Sequence, residues 1–217
     1  MSNFFKGIWS WFLGLFGSSS SAAVPVPVPV VPSQPGTGWQ ITHSSTPAPN
    51  VVNDGFDFPT AANADVAWVS YFELPLSRDI SASSTLSITY TLIGIDPIFD
   101  HSSPNNVSTG PATITILLHR AGDDLSGKGD MAYYRWFSPL LGPNSVPLQL
   151  GTRTITVDLN DVAKWGSLAD AQYQWFKDAQ KNLGSIGVVF GGGDFYSHGL
   201  SVTSGSAHFH IDRYTIM

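Results

Sequence analysis

Between residues 86 and 92 apolar side chains take every second position: Leu86, Ile88, Tyr90 and Leu92 alternate with Ser87, Thr89 and Thr91. A period of two sends the two sets to opposite faces of a strand, so one face is buried and the other is wet. The same alternation runs through Ile114, Ile116 and Leu118, and again through Ile155, Val157 and Leu159. Segments 67–74, 131–137, 186–190 and 207–216 have the composition of further strands. One stretch has helical spacing instead. Leu168, Trp175, Phe176, Ala179 and Leu183 share a face over about 168–183, with Gly184 placed to stop the helix. Many short strands, Gly/Pro turns and a single inserted helix predict an all-β jelly-roll sandwich spanning residues 38–217.

The N-terminus follows a different rule. In residues 1–17 the large side chains Phe4, Phe5, Ile8, Trp9, Trp11, Phe12, Leu13, Leu15 and Phe16 fall on one arc of a helix, while Lys6, Gly7, Ser10, Gly14 and Gly17 take the other. The run is shorter than the ~20 apolar residues that cross a bilayer. Three readings stay open. One is a secretory signal with Ser21-Ala22-Ala23 as its cleavage region. The others are an interfacial helix anchored by Trp9 and Trp11, and a helix that packs on copies of itself or on a particle through its small residues. The segregation of the two faces favours a retained amphipathic helix. Residues 18–37 are a linker in which serines give way to Val-Pro alternation, a semi-rigid spacer of about 3 Å per residue.

Composition narrows the function classes. The formal net charge is −6, which argues against nucleic acid, since phosphate neutralisation needs a basic face. Cysteine is absent, which removes disulfides, thiol nucleophiles and Cys-type zinc sites. Glu73 is the only glutamate, and only 12% of residues are charged. The surface is therefore Ser, Thr, Asn and Gly, a balance common in secreted and virion-exposed β proteins.

The last third is the most characteristic. Trp165 precedes a helix containing Phe176, Ala179 and Asn182, and the chain then runs IGVVFGGGDFYSHGLSVTSGSAHFHIDRYTI. This stretch resembles the C-terminal half of galactose-binding-like jelly-roll domains, a fold shared by carbohydrate-binding modules. The resemblance covers 165–217 most closely. It implies a strand at 186–190, a glycine corner at 191–193, an exposed loop at 194–204, and a final strand lying beside the domain's first strand. It implies fold more than activity.

Sugar recognition needs aromatic faces and planar polar groups, and two segments supply both. In the first, Tyr134, Arg135 and Trp136 lie in an aromatic run; as a strand it would put Tyr134 and Trp136 on one face. The second is the loop with Asp194, Tyr196 and His198. His208, His210 and Asp212 share a face at i, i+2, i+4, where a polar outer sheet face is the plainer account than a transition-metal site. Asp54 and Asp57 are the natural ligands for a structural Ca²⁺, although Asn53-Asp54-Gly55 is also ordinary turn chemistry. No nucleophile elbow, metalloprotease helix or phosphate-cradling loop occurs.

The sequence thus reads as a non-catalytic carbohydrate-binding domain, with polysaccharide or a surface glycan as partner, displayed at a cell or virion surface. The alternative is a virion spike or head fibre that oligomerises through its N-terminal helix. A polysaccharide or ester hydrolase is the third reading.

Overall fold

A computed structural model describes residues 38–45, 47–60, 68–101, 111–139, 146–169, 172–192 and 199–217. The expected helix of residues 1–17 and the linker 18–37 lie outside the described residues, as do Asp194, Tyr196 and His198. Among the described residues the strands are β1 (Gln40–Ser44), β2 (Gly55–Asp57), β3 (Val69–Arg78), β4 (Thr85–Asp100), β5 (Ala112–Arg120), β6 (Arg135–Ser138), β7 (Val146–Pro147), β8 (Gly151–Asp158), β9 (Leu183–Gly192) and β10 (Ser201–Ile216). One α-helix, α1 (Tyr173–Lys181), joins β8 to β9.

The strands form two sheets. A front sheet runs β1-β3-β9-β5-β6, with β7 also paired to β5, and a back sheet runs β2-β10-β4-β8. All pairings are antiparallel. From β2 onward the two orders, β2-β10-β4-β8 against β3-β9-β5-β6, are those of a wrapped eight-stranded jelly roll.

Alternation decides which side chains meet between the sheets. Leu86, Ile88, Tyr90 and Leu92 of β4 point inward against Phe72, Ile114, Ile116 and Phe190 of the front sheet, all fully buried. Aromatic edges fill the centre: Phe56 meets Phe72 at 5.1 Å between ring centroids, and Phe190 meets Phe209 at 4.9 Å. The helix closes one end. Its Phe176 packs on Trp136 at 5.0 Å and on Trp165 at 5.1 Å.

Three expectations need correction. The helix runs over Tyr173–Lys181 only, so Leu168 lies outside it and is exposed, and Leu183 and Gly184 belong to β9, where Leu183 pairs with Arg78 and Arg120. The segment 131–137 is not one strand, because a 3-10 turn over Gly129–Tyr133 precedes β6. The final strand lies between β2 and β4 in the back sheet, whereas β1 sits at the edge of the front sheet.

The outer face of the back sheet is polar and ordered by cross-strand hydroxyl pairs, Ser87–Thr156, Thr89–Thr154 and Thr91–Thr152, each at 2.8 Å. Beyond Leu92, β4 outruns β8 and pairs with β10 alone among the described strands, which leaves one edge of residues 93–100 without a partner strand. Ile93, Ile95 and Ile98 are more than half exposed on this ribbon.

Candidate functional site

The outer face of the front sheet is built from side chains that alternation turns away from the core. Antiparallel register sets them in rows. Tyr71, Val189 and Thr115 stand side by side; next come Glu73, Gly187, Leu117 and Phe137; then Pro75, Ser185, His119 and Arg135. Tyr71, Leu117, Phe137 and Val189 form a second apolar cluster, separate from the main core and buried. Beside it lies a chain of polar groups.

Glu73 is at the centre of that chain. Its Oε1 accepts from Ser185 Oγ at 2.7 Å and lies 2.7 Å from His119 Nδ1, and its Oε2 accepts the Thr42 hydroxyl. His119 Nε2 is 2.9 Å from Asp123 Oδ2, so the imidazole bridges two carboxylates. Arg135 completes the row, with Nε 2.8 Å from the same Asp123 oxygen, an ion pair whose N–H does not point along the contact. The Glu73, Asp123 and Arg135 side chains are all more than nine-tenths buried, and His119 is the most open of the four. Gly187 makes room for this arrangement. A Cβ built there would lie 2.7 Å from Glu73 Cγ, so only glycine fits opposite the glutamate.

The electrostatics follow from these contacts. Burial pushes the Glu73 carboxyl up, but the His119 hydrogen bond and charge, with the Ser185 and Thr42 hydroxyls, outweigh it and hold its pKa below the ordinary value. Burial likewise pulls His119 down, and the hydrogen bonds and charges of Glu73 and Asp123 outweigh that and hold it above the ordinary value. His43, packed between Trp68 and Tyr71 with ring centroids 5.1 Å away on each side, is held low by burial and by the Arg135 charge, against an opposing pull from Glu73.

A pH dependence of stability follows. Glu73's contribution is present above its unfolded pKa and is lost as pH falls through the depressed folded one. His119's contribution is present below its unfolded pKa and is lost as pH rises through the raised folded one. The pair therefore stabilises most between roughly pH 4.5 and 6.5. Urea midpoints measured across pH should peak in that interval and decline on both sides; in His119→Gln the decline above it should flatten.

A groove of about 280 Å³ opens over this row, walled by Thr42, Pro75, Arg120, Gly122, Leu125 and Ser185. Of these wall residues, Arg120 has its guanidinium 4.2 Å from the centroid of the Tyr134 ring and its Nε 2.5 Å from Asp178 Oδ2 of the helix. Tyr133 stacks on Trp175 at 5.0 Å with planes 6° apart. A larger cavity of about 720 Å³ lies at the sandwich edge against β8. Its charged groups are spent locally, since Asp158 accepts from the Asn160 amide at 2.7 Å and Lys164 pairs with Asp161 at 3.4 Å. The groove is the better candidate because its polar groups converge.

The residues expected from sequence separate. Tyr134 is half-buried under the Arg120 guanidinium and does not itself line the groove. Arg135 lies beneath the groove against Asp123, and its Nη2 is buried without a hydrogen-bond partner. Trp136 points the other way: it is fully buried in the main core, with Nε1 donating to Tyr133 O at 2.7 Å, so it offers no face to a sugar. Asp54 is buried in the turn before β2, while Asp57 is exposed and pairs with His208 Nδ1 at 2.8 Å. Among the described residues no group of three or more His, Asp or Glu side chains is placed to hold a metal ion. Sequence reasoning missed Glu73, His119 and Asp123. The available signal was a lone carboxylate inside the otherwise apolar run Tyr71–Leu76.

No helix among the described residues is long and apolar enough to cross a membrane. No family model matches the chain, and no curated protein matches it. Among solved structures it is similar to the xyloglucanase domain of NopAA, a type three effector from Sinorhizobium fredii, in complex with cellobiose. The identity is 13% and the TM-score 0.36, over 88% of this chain and 96% of that one. A likeness of that depth carries no argument about activity, and the functional reading rests on the site itself.

Proposed function

We propose that the domain is a non-catalytic carbohydrate-binding module that takes a glycan along the groove on the outer face of the front sheet. The observation that carries this reading is the groove's composition: a floor of hydroxyl, imidazole and carboxylate groups with Arg120 in its wall, whose guanidinium lies over the half-buried Tyr134 ring. Sugar hydroxyls donate to the Thr42 and Ser185 oxygens, whose own protons are given to Glu73, and the aliphatic part of Arg120 with the neighbouring Tyr134 ring meets the apolar side of the sugar. Asp194, Tyr196 and His198 remain part of the proposal as a second contact segment. The apolar segment 1–17 and the linker 18–37 would hold the module outward from a membrane or particle surface.

The charges around the groove close on themselves: Glu73, His119, Asp123 and Arg135 form one chain, and Arg120 pairs with Asp178. A site with its charges already paired favours a neutral glycan over an acidic one. The non-catalytic reading is supported by the same pairing. Both Glu73 oxygens are engaged, and the His119 ring fills the space between the two carboxylates, where a hydrolase acting with an acid and a base would place the scissile bond.

Affinity electrophoresis of the full chain through gels containing neutral or acidic polysaccharides tests this. Retardation by a neutral polymer is expected, and Tyr134→Ala should weaken it about tenfold, the ~1–3 kcal/mol scale of a lost stacking contact, with little change in the thermal melt. Retardation that is unaltered in Tyr134→Ala would move the site elsewhere. No retardation by any polymer would leave the sandwich as a structural head.

A further inference from the structure

The outer face of the back sheet carries a second group of chemistry-bearing side chains. His208 and His210 project from the same face of β10, opposite the inward Phe209. Each imidazole has its Nδ1 against a carboxylate: His208 on Asp57 Oδ1 at 2.8 Å, and His210 on Asp212 Oδ1 at 3.2 Å. Asp212 is itself steadied by the Thr91 hydroxyl at 2.8 Å. A carboxylate facing Nδ1 favours the neutral tautomer with its proton there and the lone pair on Nε2, the arrangement that orients histidine ligands in metal sites. Both rings reach solvent, with side chains 41% and 33% exposed.

Spacing is the objection to a shared ion. Side chains two apart on a strand start almost 7 Å from each other, whereas each nitrogen must come within about 2.0–2.1 Å of one cation. Gly55 answers it. In register Gly55 lies directly opposite His210, and a Cβ built on it would sit 2.9 Å from His208 Nε2. The His208 ring therefore occupies the place of the missing side chain and leans along the sheet into the row of its neighbour.

We propose that His208 and His210 form a two-imidazole chelate for a borderline divalent cation of the zinc, nickel or copper type, with Asp57 and Asp212 as positioning residues. Imidazole nitrogen suits these metals, whereas Ca²⁺ and Mg²⁺ require oxygen ligands. Since no third His, Asp or Glu converges among the described residues, water fills the remaining positions and the ion is exchangeable.

The test is calorimetric titration of the full chain with ZnCl₂, paired with electron paramagnetic resonance of the Cu²⁺-loaded protein. One ion per chain is expected, with a splitting pattern from two equivalent nitrogens and no heat from CaCl₂. The double variant His208→Ala/His210→Ala should lose the site. Asp57→Asn and Asp212→Asn should each weaken Zn²⁺ about tenfold and disturb the nitrogen pattern while the thermal melt holds. Absence of Zn²⁺ binding, or a double variant that binds equally well, overturns the proposal. Asparagine variants with unchanged affinity and spectra overturn the positioning role.

Discussion

Trp136→Ala will cost the domain about 4 kcal/mol of stability and will not act as a binding-site mutation. The indole is fully buried, packs on Phe176 of α1 at 5.0 Å, and donates from Nε1 to Tyr133 O at 2.7 Å. Truncation removes the contact that seats the helix on the sandwich and leaves a cavity lined by Phe176 and other core side chains. It also strands the Tyr133 carbonyl. For a single domain of this size such a loss is a large fraction of the ordinary total of about 5–15 kcal/mol. Urea unfolding followed by tryptophan fluorescence measures it, with Tyr134→Ala as the comparison two residues away. A Trp136→Ala protein with a near-normal midpoint would mean that the indole is dispensable to the core.

The second large effect belongs to Glu73→Gln, expected to lose about 3 kcal/mol. The change is nearly isosteric, so packing against Gly187 is preserved and the loss isolates the charge. An amide keeps one acceptor but leaves the bridging imidazolium with Asp123 as its one charged partner, in a site where the Glu73 and Asp123 side chains are hidden from water. With its oxygen kept toward Ser185 and His119, the amide turns its NH2 toward the Thr42 hydroxyl, which now meets a donor instead of an acceptor. Removing one partner of a buried ion pair costs more than the pair itself contributes, because the remaining charge stays desolvated. Two readouts separate this from a general loosening. The His119 pKa, followed by NMR, should fall from its raised position toward the ordinary imidazole value, and the acid-side loss of stability should shrink. A Glu73→Gln protein with an unmoved His119 titration would show that the glutamate does not hold the imidazolium.

Much of the architecture was legible because it depends on local alternation. The strands read from Leu86–Leu92, Ile114–Leu118 and Ile155–Leu159 form, the last ending one residue early at Asp158, and their alternating apolar sets face the core. Errors arose where alternation met a turn. Tyr134 and Trp136 look like neighbours on one face only if the chain is extended throughout; the 3-10 turn at Gly129–Tyr133 leaves Tyr134 as its cap, beside Arg120, while Trp136 enters the core. Gly184 resembles a helix stop in sequence, yet it is needed in β9, where its Cα faces the Ala121 backbone and an added Cβ would come within 3.0 Å of it.

The groove was not legible for a different reason. Glu73 and His119 meet across an intervening strand, 46 residues apart in sequence, and the register of β9 between β3 and β5 brings them together. Nothing local to either residue encodes that register. A carboxylate within a strand of buried neighbours states only that a partner must exist, because an unpaired one would be too costly to bury.

The ribbon beyond Leu92 bears on how the protein behaves in concentrated solution. A strand with an unpaired edge and exposed isoleucines is a template on which another chain can add, and growth from such an edge does not stop at a dimer. Two consecutive residues interrupt it. Asp96 takes a positive φ of 41° and bulges the strand, and Pro97 has no amide hydrogen to offer an incoming neighbour. Colloidal stability of the domain therefore depends on a kink and a missing donor.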